Sequence, residues 1–208
     1  AKAGENEEKK DYGVFLSIDS SQMKKLYPYR LVVIDAQFFA AEDIRTLHKK
    51  GVKVYTYLNV GSIEDFRDYY KEYEHLAIGD YENWDDEKWV DVSNQEWQNF
   101  IGKLSKKLLE KGVDGFFIDN CDVYDYAQTK KNFQGLVKIL KNIRSLGGEL
   151  VINGGDVFVT KYRKTYGTTK NIMTAVNQES VWSRIQFEQG TVGKQTKEER
   201  DYFSDNVK

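Results

Sequence analysis

One cysteine, one proline and two histidines stand among 208 residues, and each scarcity removes a class of chemistry. Cys121 alone cannot form a disulfide within the chain and offers no cysteine-based zinc site. That excludes a disulfide-stapled scaffold without assigning a compartment. His48 and His75 fall on an expected helix and an expected loop, so neither is placed for Ser-His-Asp chemistry, and no G-x-S-x-G occurs. No P-loop and no G-x-G-x-x-G is present either. No run approaches the ~18 consecutive apolar residues of a membrane helix. Residues 1–10 are polar and carry no apolar signal-peptide core as they stand. Charge of one sign is missing too. The chain has 31 basic and 33 acidic side chains and a net charge of -2, which gives no footing for a nucleic-acid or membrane partner.

What is present is an ordinary globular balance, 40% hydrophobic and 31% charged, with a generous aromatic supply of 14 Tyr, 11 Phe and 4 Trp. Those rings serve core packing, or they stack on sugar rings if they lie near strand ends. Composition alone does not separate the two.

Short apolar runs recur between helical stretches. Strands are expected over 12–18, 31–34, 52–58, 89–92, 116–118, 150–152 and 172–176, because unbroken apolar runs suit parallel strands covered on both faces. Helices are expected over 41–50, from Ser62 through Tyr70, from a capping box at Ser93–Glu96, over 130–145 and over 157–166. Residues 75–88 read as a long loop, and a last amphipathic piece covers 198–207. The regular alternation predicts an α/β protein with a parallel sheet and right-handed crossovers. An open doubly wound sheet and a (β/α)8 TIM-type barrel both fit. The barrel would be lacking or truncated at its eighth strand. In domain terms, 1–11 read as a disordered N-terminal lead-in and 12–208 as a single (β/α) barrel domain.

The expected strands end at Asp19, Asp35, Asn59, Asp91, Asp119, Asn153 and Glu179. Each is an acid or an amide. One such residue is a turn or a helix cap, but a full set converging on one barrel mouth is a binding surface. With no lysine or arginine among them, they suit a polyhydroxylated neutral or cationic ligand rather than a phosphate. Paired carboxylates are also what glycoside hydrolysis requires. Asp119, Asp122 and Asp125 could alternatively supply oxygens to a hard cation, but the segment lacks an EF-hand pattern, and no metal or other cofactor is expected.

The stretches Tyr57-Leu58-Asn59-Val60-Gly61-Ser62-Ile63-Glu64-Asp65-Phe66-Arg67, Trp89-Val90-Asp91-Val92, Asp114 to Tyr124, Ile152-Asn153-Gly154-Gly155 and Asn177-Gln178-Glu179-Ser180 resemble, in order, the motifs of glycoside hydrolase family 114. These are endo-α-1,4-polygalactosaminidase-like barrels. The resemblance implies a metal-independent glycosidase cleaving α-linked polysaccharide that contains galactosamine or N-acetylgalactosamine, acting outside the cell or at its surface. It implies Asp119 as nucleophile and Glu179 as general acid/base, with the two roles open to exchange. Asp19, Tyr57, Asn59, Asp91, Asp122, Tyr124, Asn153 and Gln178 become candidate sugar-binding positions. A non-catalytic carbohydrate-binding barrel is the alternative.

Two departures stand out. Ser62 follows Gly61 where the family often carries a Gly-Glu pair, with Glu64 and Arg67 kept as the expected anchor of a helix. The family's eighth-strand Leu-Glu-Tyr motif has no counterpart before Lys208. A missing segment, a partner chain or an N-terminal element would have to fill that gap, since unpaired strand edges invite aggregation.

Overall fold

The computed structural model describes residues 8–82 and 84–174. Its backbone is a parallel sheet of five strands: β1 (Lys10–Phe15), β2 (Tyr29–Ile34), β3 (Lys53–Asn59), β7 (Gly115–Asp119) and β8 (Glu149–Ile152), in that spatial order. Strand β1 begins at Lys10, ahead of the expected Tyr12, because the Lys10 N–H donates to the Pro28 carbonyl at 2.8 Å.

Side chains alternate across this sheet with period two. One face presents Val14, Leu31, Val33, Tyr55, Tyr57, Phe117 and Val151, which form a small apolar cluster of their own. The other presents Phe15, Val32, Ile34, Val54, Leu58, Phe116, Ile118, Leu150 and Ile152, which join the main core beneath the helices. Burial on both faces is what unbroken apolar runs require. The helices cover the main core: α1 (Ala41–Lys49), α3 (Gln95–Glu110), α5 (Lys130–Ser145) and α6 (Asp156–Tyr166). Helix α5 turns Phe133, Leu136, Val137, Leu140 and Ile143 inward, as its spacing predicts. Two single-turn helices complete the set, α2 (Tyr70–Tyr73) and α4 (Val123–Tyr126).

The segment between β3 and α3 differs from expectation. Ser62 does not cap a helix; it opens the short strand β4 (Ser62–Glu64). Residues 75–88 are not one long loop. They contain β5 (Ala77–Asp80) and enter β6 (Glu87–Val90), and these two pair antiparallel with β4 in the order β4-β6-β5. The expected fourth barrel strand at Trp89 therefore belongs to this second sheet, and β3 pairs directly with β7, from Tyr55↔Gly115 to Asn59↔Asp119. The helix cap also shifts by one residue. Asn94, not Ser93, accepts the Glu96 N–H at 2.8 Å, while Ser93 turns its hydroxyl to Asp91.

At the far edge of the parallel sheet, Thr174 donates its N–H to the Leu150 carbonyl at 3.0 Å, and its Oγ1 accepts the Leu150 N–H at 2.9 Å. The chain thus begins to run alongside β8 where a further strand was expected. The expected positions 175–176, Gln178 and Glu179, and the amphipathic piece expected over 198–207, lie outside the described residues.

Candidate active site

The side-chain alternation that builds the inner apolar cluster places polar residues where the strands end. On the parity of Leu31 and Val33 comes Asp35; on that of Tyr55 and Tyr57, Asn59; after Phe117, Asp119; and after Val151, Asn153. These four residues therefore share the inner face at the C-terminal ends of neighbouring strands.

Asp119 is half-buried and held on both oxygens. The Tyr57 hydroxyl donates to Oδ2 at 2.9 Å. Asn153 Nδ2 donates to Oδ1 at 3.3 Å, and the Asn120 N–H donates to the same atom at 3.0 Å. Donors from β3, from the end of β8 and from the next peptide fix the carboxylate plane, and the residue is not fully buried. This is the arrangement a reacting carboxylate needs: orientation set by its supports, access left to the substrate.

Behind Asp119 lies a buried polar network. Asn120 takes a left-handed backbone, φ 69°, and is fully buried. Its Nδ2 donates to Asn59 Oδ1 at 3.0 Å, Ser62 Oγ at 3.1 Å and Glu87 Oε1 at 3.2 Å, while its Oδ1 accepts from the Tyr81 hydroxyl at 2.7 Å. Asn59 in turn donates to Glu64 Oε1 at 2.6 Å and to Glu87, and Ser62 Oγ donates to Glu87. Arg67 closes the network, with Nε on Glu64 at 2.6 Å and Nη2 on Asp35 at 2.7 Å. So Glu64 and Arg67 anchor this network rather than a helix. Gly61 is required beside it: a Cβ there would lie 1.9 Å from the Asn120 carbonyl oxygen.

Burial raises the Asp35 carboxyl above its ordinary 3.8 even with Arg67 beside it. Burial also works against the Arg67 charge, but Glu64 and Asp35 outweigh it and hold the guanidinium above its usual range. The cation is therefore firmly charged. Cys121 is fully buried, and burial, followed by Asp122 and Asp119, pushes its thiol well above the ordinary value.

The other sequence candidates divide by position. Tyr57 and Asn153 meet at Asp119. Asn59 is committed to the buried network and is only 8% exposed. Asp122 Oδ1 accepts the Gly155 N–H at 3.2 Å, bracing the Gly154-Gly155 turn, whose left-handed φ values of 63° and 68° start α6. Tyr124 is buried against Phe133 and Phe158, with ring centroids 5.8 and 6.3 Å away. Asp91 accepts the Ser93 N–H at 3.0 Å in a tight turn ahead of α3. Asp19 caps a 3-10 helix, Ser20–Leu26, through the Ser21 N–H at 2.9 Å. No group of three or more His, Cys, Asp or Glu suited to a metal ion occurs among the described residues. Sequence reasoning missed Asn120, Glu87 and Tyr81. The available signal was an asparagine directly after the strand-end aspartate, since asparagine tolerates a left-handed backbone better than most residues.

A parallel α/β barrel sheet with a braced, half-buried carboxylate at the C-terminal end of one strand is the scaffold of barrel glycosidases. This chain belongs to glycoside-hydrolase family GH114, whose profile matches residues 3–170. Among solved structures, the glycoside hydrolase domain of PelA from Pseudomonas aeruginosa superposes with a TM-score of 0.64 at 16% identity, covering 86% of this chain and 80% of that one. Ega3 from Aspergillus fumigatus, in complex with galactosamine, superposes with a TM-score of 0.60 at 17% identity, covering 84% of this chain and 73% of that one. At such identities the likeness concerns the fold. A curated relative, an uncharacterized protein of Thermotoga maritima, is 25% identical over 93 residues, and the match spans 42% of this chain and 29% of that relative.

Proposed function

We propose that the chain hydrolyses α-linked polysaccharide containing galactosamine or N-acetylgalactosamine, with Asp119 and Glu179 as its carboxylate pair. The observation that carries this reading is the Asp119 carboxylate, braced by Tyr57 and Asn153 at the end of β7 in a chain of a glycoside-hydrolase family. The galactosamine bound by Ega3 supports an amino sugar as the substrate class.

Asp119 attacks the anomeric carbon as the glycosidic bond breaks, and Glu179 protonates the departing oxygen. Glu179 then takes a proton from water, which releases the sugar from Asp119 and regenerates both groups. Tyr57 and Asn153 hold the Asp119 oxygens through this cycle and contact the sugar beside it, as does Gln178 next to Glu179. Asn59, Asp91, Asp122 and Tyr124 serve instead as supports for the strand ends and the loops after them. The reaction needs no metal, and the substrate class places it outside the cell or at its surface.

The test is product analysis after incubation with partly deacetylated galactosaminogalactan. Oligosaccharides are released by the wild-type chain, at an unchanged rate with a chelator present, and not by Asp119→Asn or Glu179→Gln. Undiminished hydrolysis by either variant overturns the pair. Binding of the polymer by the wild-type chain without cleavage would favour a non-catalytic carbohydrate-binding barrel.

A further inference from the structure

Two phenylalanines stand out on the same end of the sheet. Phe38, in the turn after β2, is 46% exposed, and Phe66, after β4, is 54% exposed. Both rings rest on the Arg67 guanidinium, which lies 5.7 Å from the Phe38 centroid and 4.8 Å from that of Phe66. Because Asp35 and Glu64 clamp that guanidinium, it backs both rings as a fixed plate, with cation–π attraction holding them on it. Exposed aromatic rings on a rigid support lose little freedom when something stacks on them.

These rings border an open cavity of about 290 Å³ together with Leu16, Ser17, Ile18 and Asp19, the residues that follow β1. Asp19 lies at its edge and is exposed; its Oδ1 takes both Ser21 hydrogen bonds, from the N–H and from the hydroxyl. Those bonds, the hydroxyl's first, hold the carboxyl below its ordinary range, so it stays an anion in mildly acidic solution. Flat apolar faces beside a standing negative charge match an amino-sugar ring: its C–H face is drawn to the electron-rich ring faces, and its ammonium group to the carboxylate. In the strand order β1-β2-β3-β7, the β1 end of this cavity lies three strand spacings from the strand of Asp119 and Phe38, after β2, lies two, about 10 to 14 Å along the sheet. That exceeds one sugar ring, so the unit held here is not the unit cleaved.

We propose that Phe38, Phe66 and Asp19 form a distal subsite that takes one pyranose unit bearing a free amino group, farther along the same chain that is cut at Asp119. The subsite rests on the reading of the protein as a glycosidase of amino-sugar polymers, and makes the enzyme selective for deacetylated units at a distance from the scissile bond.

The test is calorimetric binding to the Asp119→Asn chain of α-1,4-galactosamine oligomers from disaccharide upward, with fully N-acetylated oligomers of the same lengths. Phe38→Ala and Phe66→Ala weaken the long amino oligomers about tenfold, the loss of roughly one partly buried ring, and leave the disaccharide unchanged. Phe66→Trp restores long-oligomer affinity. Asp19→Asn weakens the amino oligomers but not the acetylated ones, and the difference closes at high salt. Unchanged long-oligomer affinity in both alanine variants overturns the subsite, as does an Asp19→Asn effect equal for both series. If the unsubstituted Asp119→Asn chain binds neither series, the amino-sugar reading falls and takes the subsite with it. That outcome is distinct, because it shows before any subsite residue is changed.

Discussion

Asp119 and Glu87 are both carboxylates near the end of the parallel sheet, and they are built for opposite purposes. Asp119 is half-buried, with Tyr57, Asn153 and the Asn120 N–H on its oxygens. Glu87 is 2% exposed and surrounded by donors from Asn59, Ser62 and Asn120, with Glu64, Arg67 and Asp35 beyond. The first spends its hydrogen bonds on orientation and keeps access. The second gives up access and ties β3, the antiparallel sheet and the residue after Asp119 into one unit. The contrast teaches that residue type at a strand end does not decide a role. What decides it is whether the donors around the group enclose it.

The sharpest break in this comparison is Asp119→Asn. Activity should fall by about 10³-fold or more in kcat/KM, while urea unfolding shifts by less than about 1 kcal/mol because the site is half open. A variant that loses as much stability as activity would erase the distinction.

Next comes Arg67→Met, which leaves Asp35 and Glu64 buried without their cation. Destabilisation of about 3–5 kcal/mol in urea is expected at neutral pH. The sign with pH follows from Asp35. Its folded carboxyl already sits above 3.8, so the ionised form burdens the fold above that raised value. The burden lifts as pH falls through it toward 3.8. The loss in Arg67→Met should therefore shrink on acidification, and a loss that grows would refute the assignment.

A smaller effect separates the two jobs of Asn120. Asn120→Gly removes its side-chain bonds but tolerates φ 69°, and should lose about 1–3 kcal/mol. Asn120→Ala also forces a Cβ into the left-handed region and should lose about 1 kcal/mol more. Equal losses would mean that the backbone geometry is not held by the network. The smallest effect is a null one: Cys121 should resist alkylation in the folded protein and react once it is unfolded, since its thiolate is disfavoured by burial.

Much of the frame was legible in the residues. Strands β2, β3, β7 and β8 are apolar runs long enough to read without context, and α5 occupies 130–145 as its spacing predicts. The antiparallel sheet was not legible. β4 has three residues and β6 has four, too short to display a period, and Trp89-Val90 looks like any buried strand. The strand-end rule found Asp119, Asn153 and Asn59 alike, but could not tell the enclosed amide from the accessible groups, because the partners that enclose it come from residues 62, 87 and 120. Nothing in the sequence links Phe38 with Phe66; only the guanidinium beneath them makes them a pair.

The direct pairing of β3 with β7 bears on how the chain finds its shape. Strands β1 and β2 meet across the short interval Lys10↔Tyr29, while β3 and β7 meet across Tyr55↔Gly115, with the whole antiparallel sheet and α3 folded into the interval. Closing a loop three times longer costs about 1 kcal/mol more in chain entropy, and non-local pairings slow folding. The strand that ends in Asp119 is thus joined to β3 by the pairing of widest sequence separation in the parallel sheet. Asn59 and Asn120 bond across that seam at 3.0 Å, so the side chains that fasten it come from the two ends of the longest loop the sheet has to close.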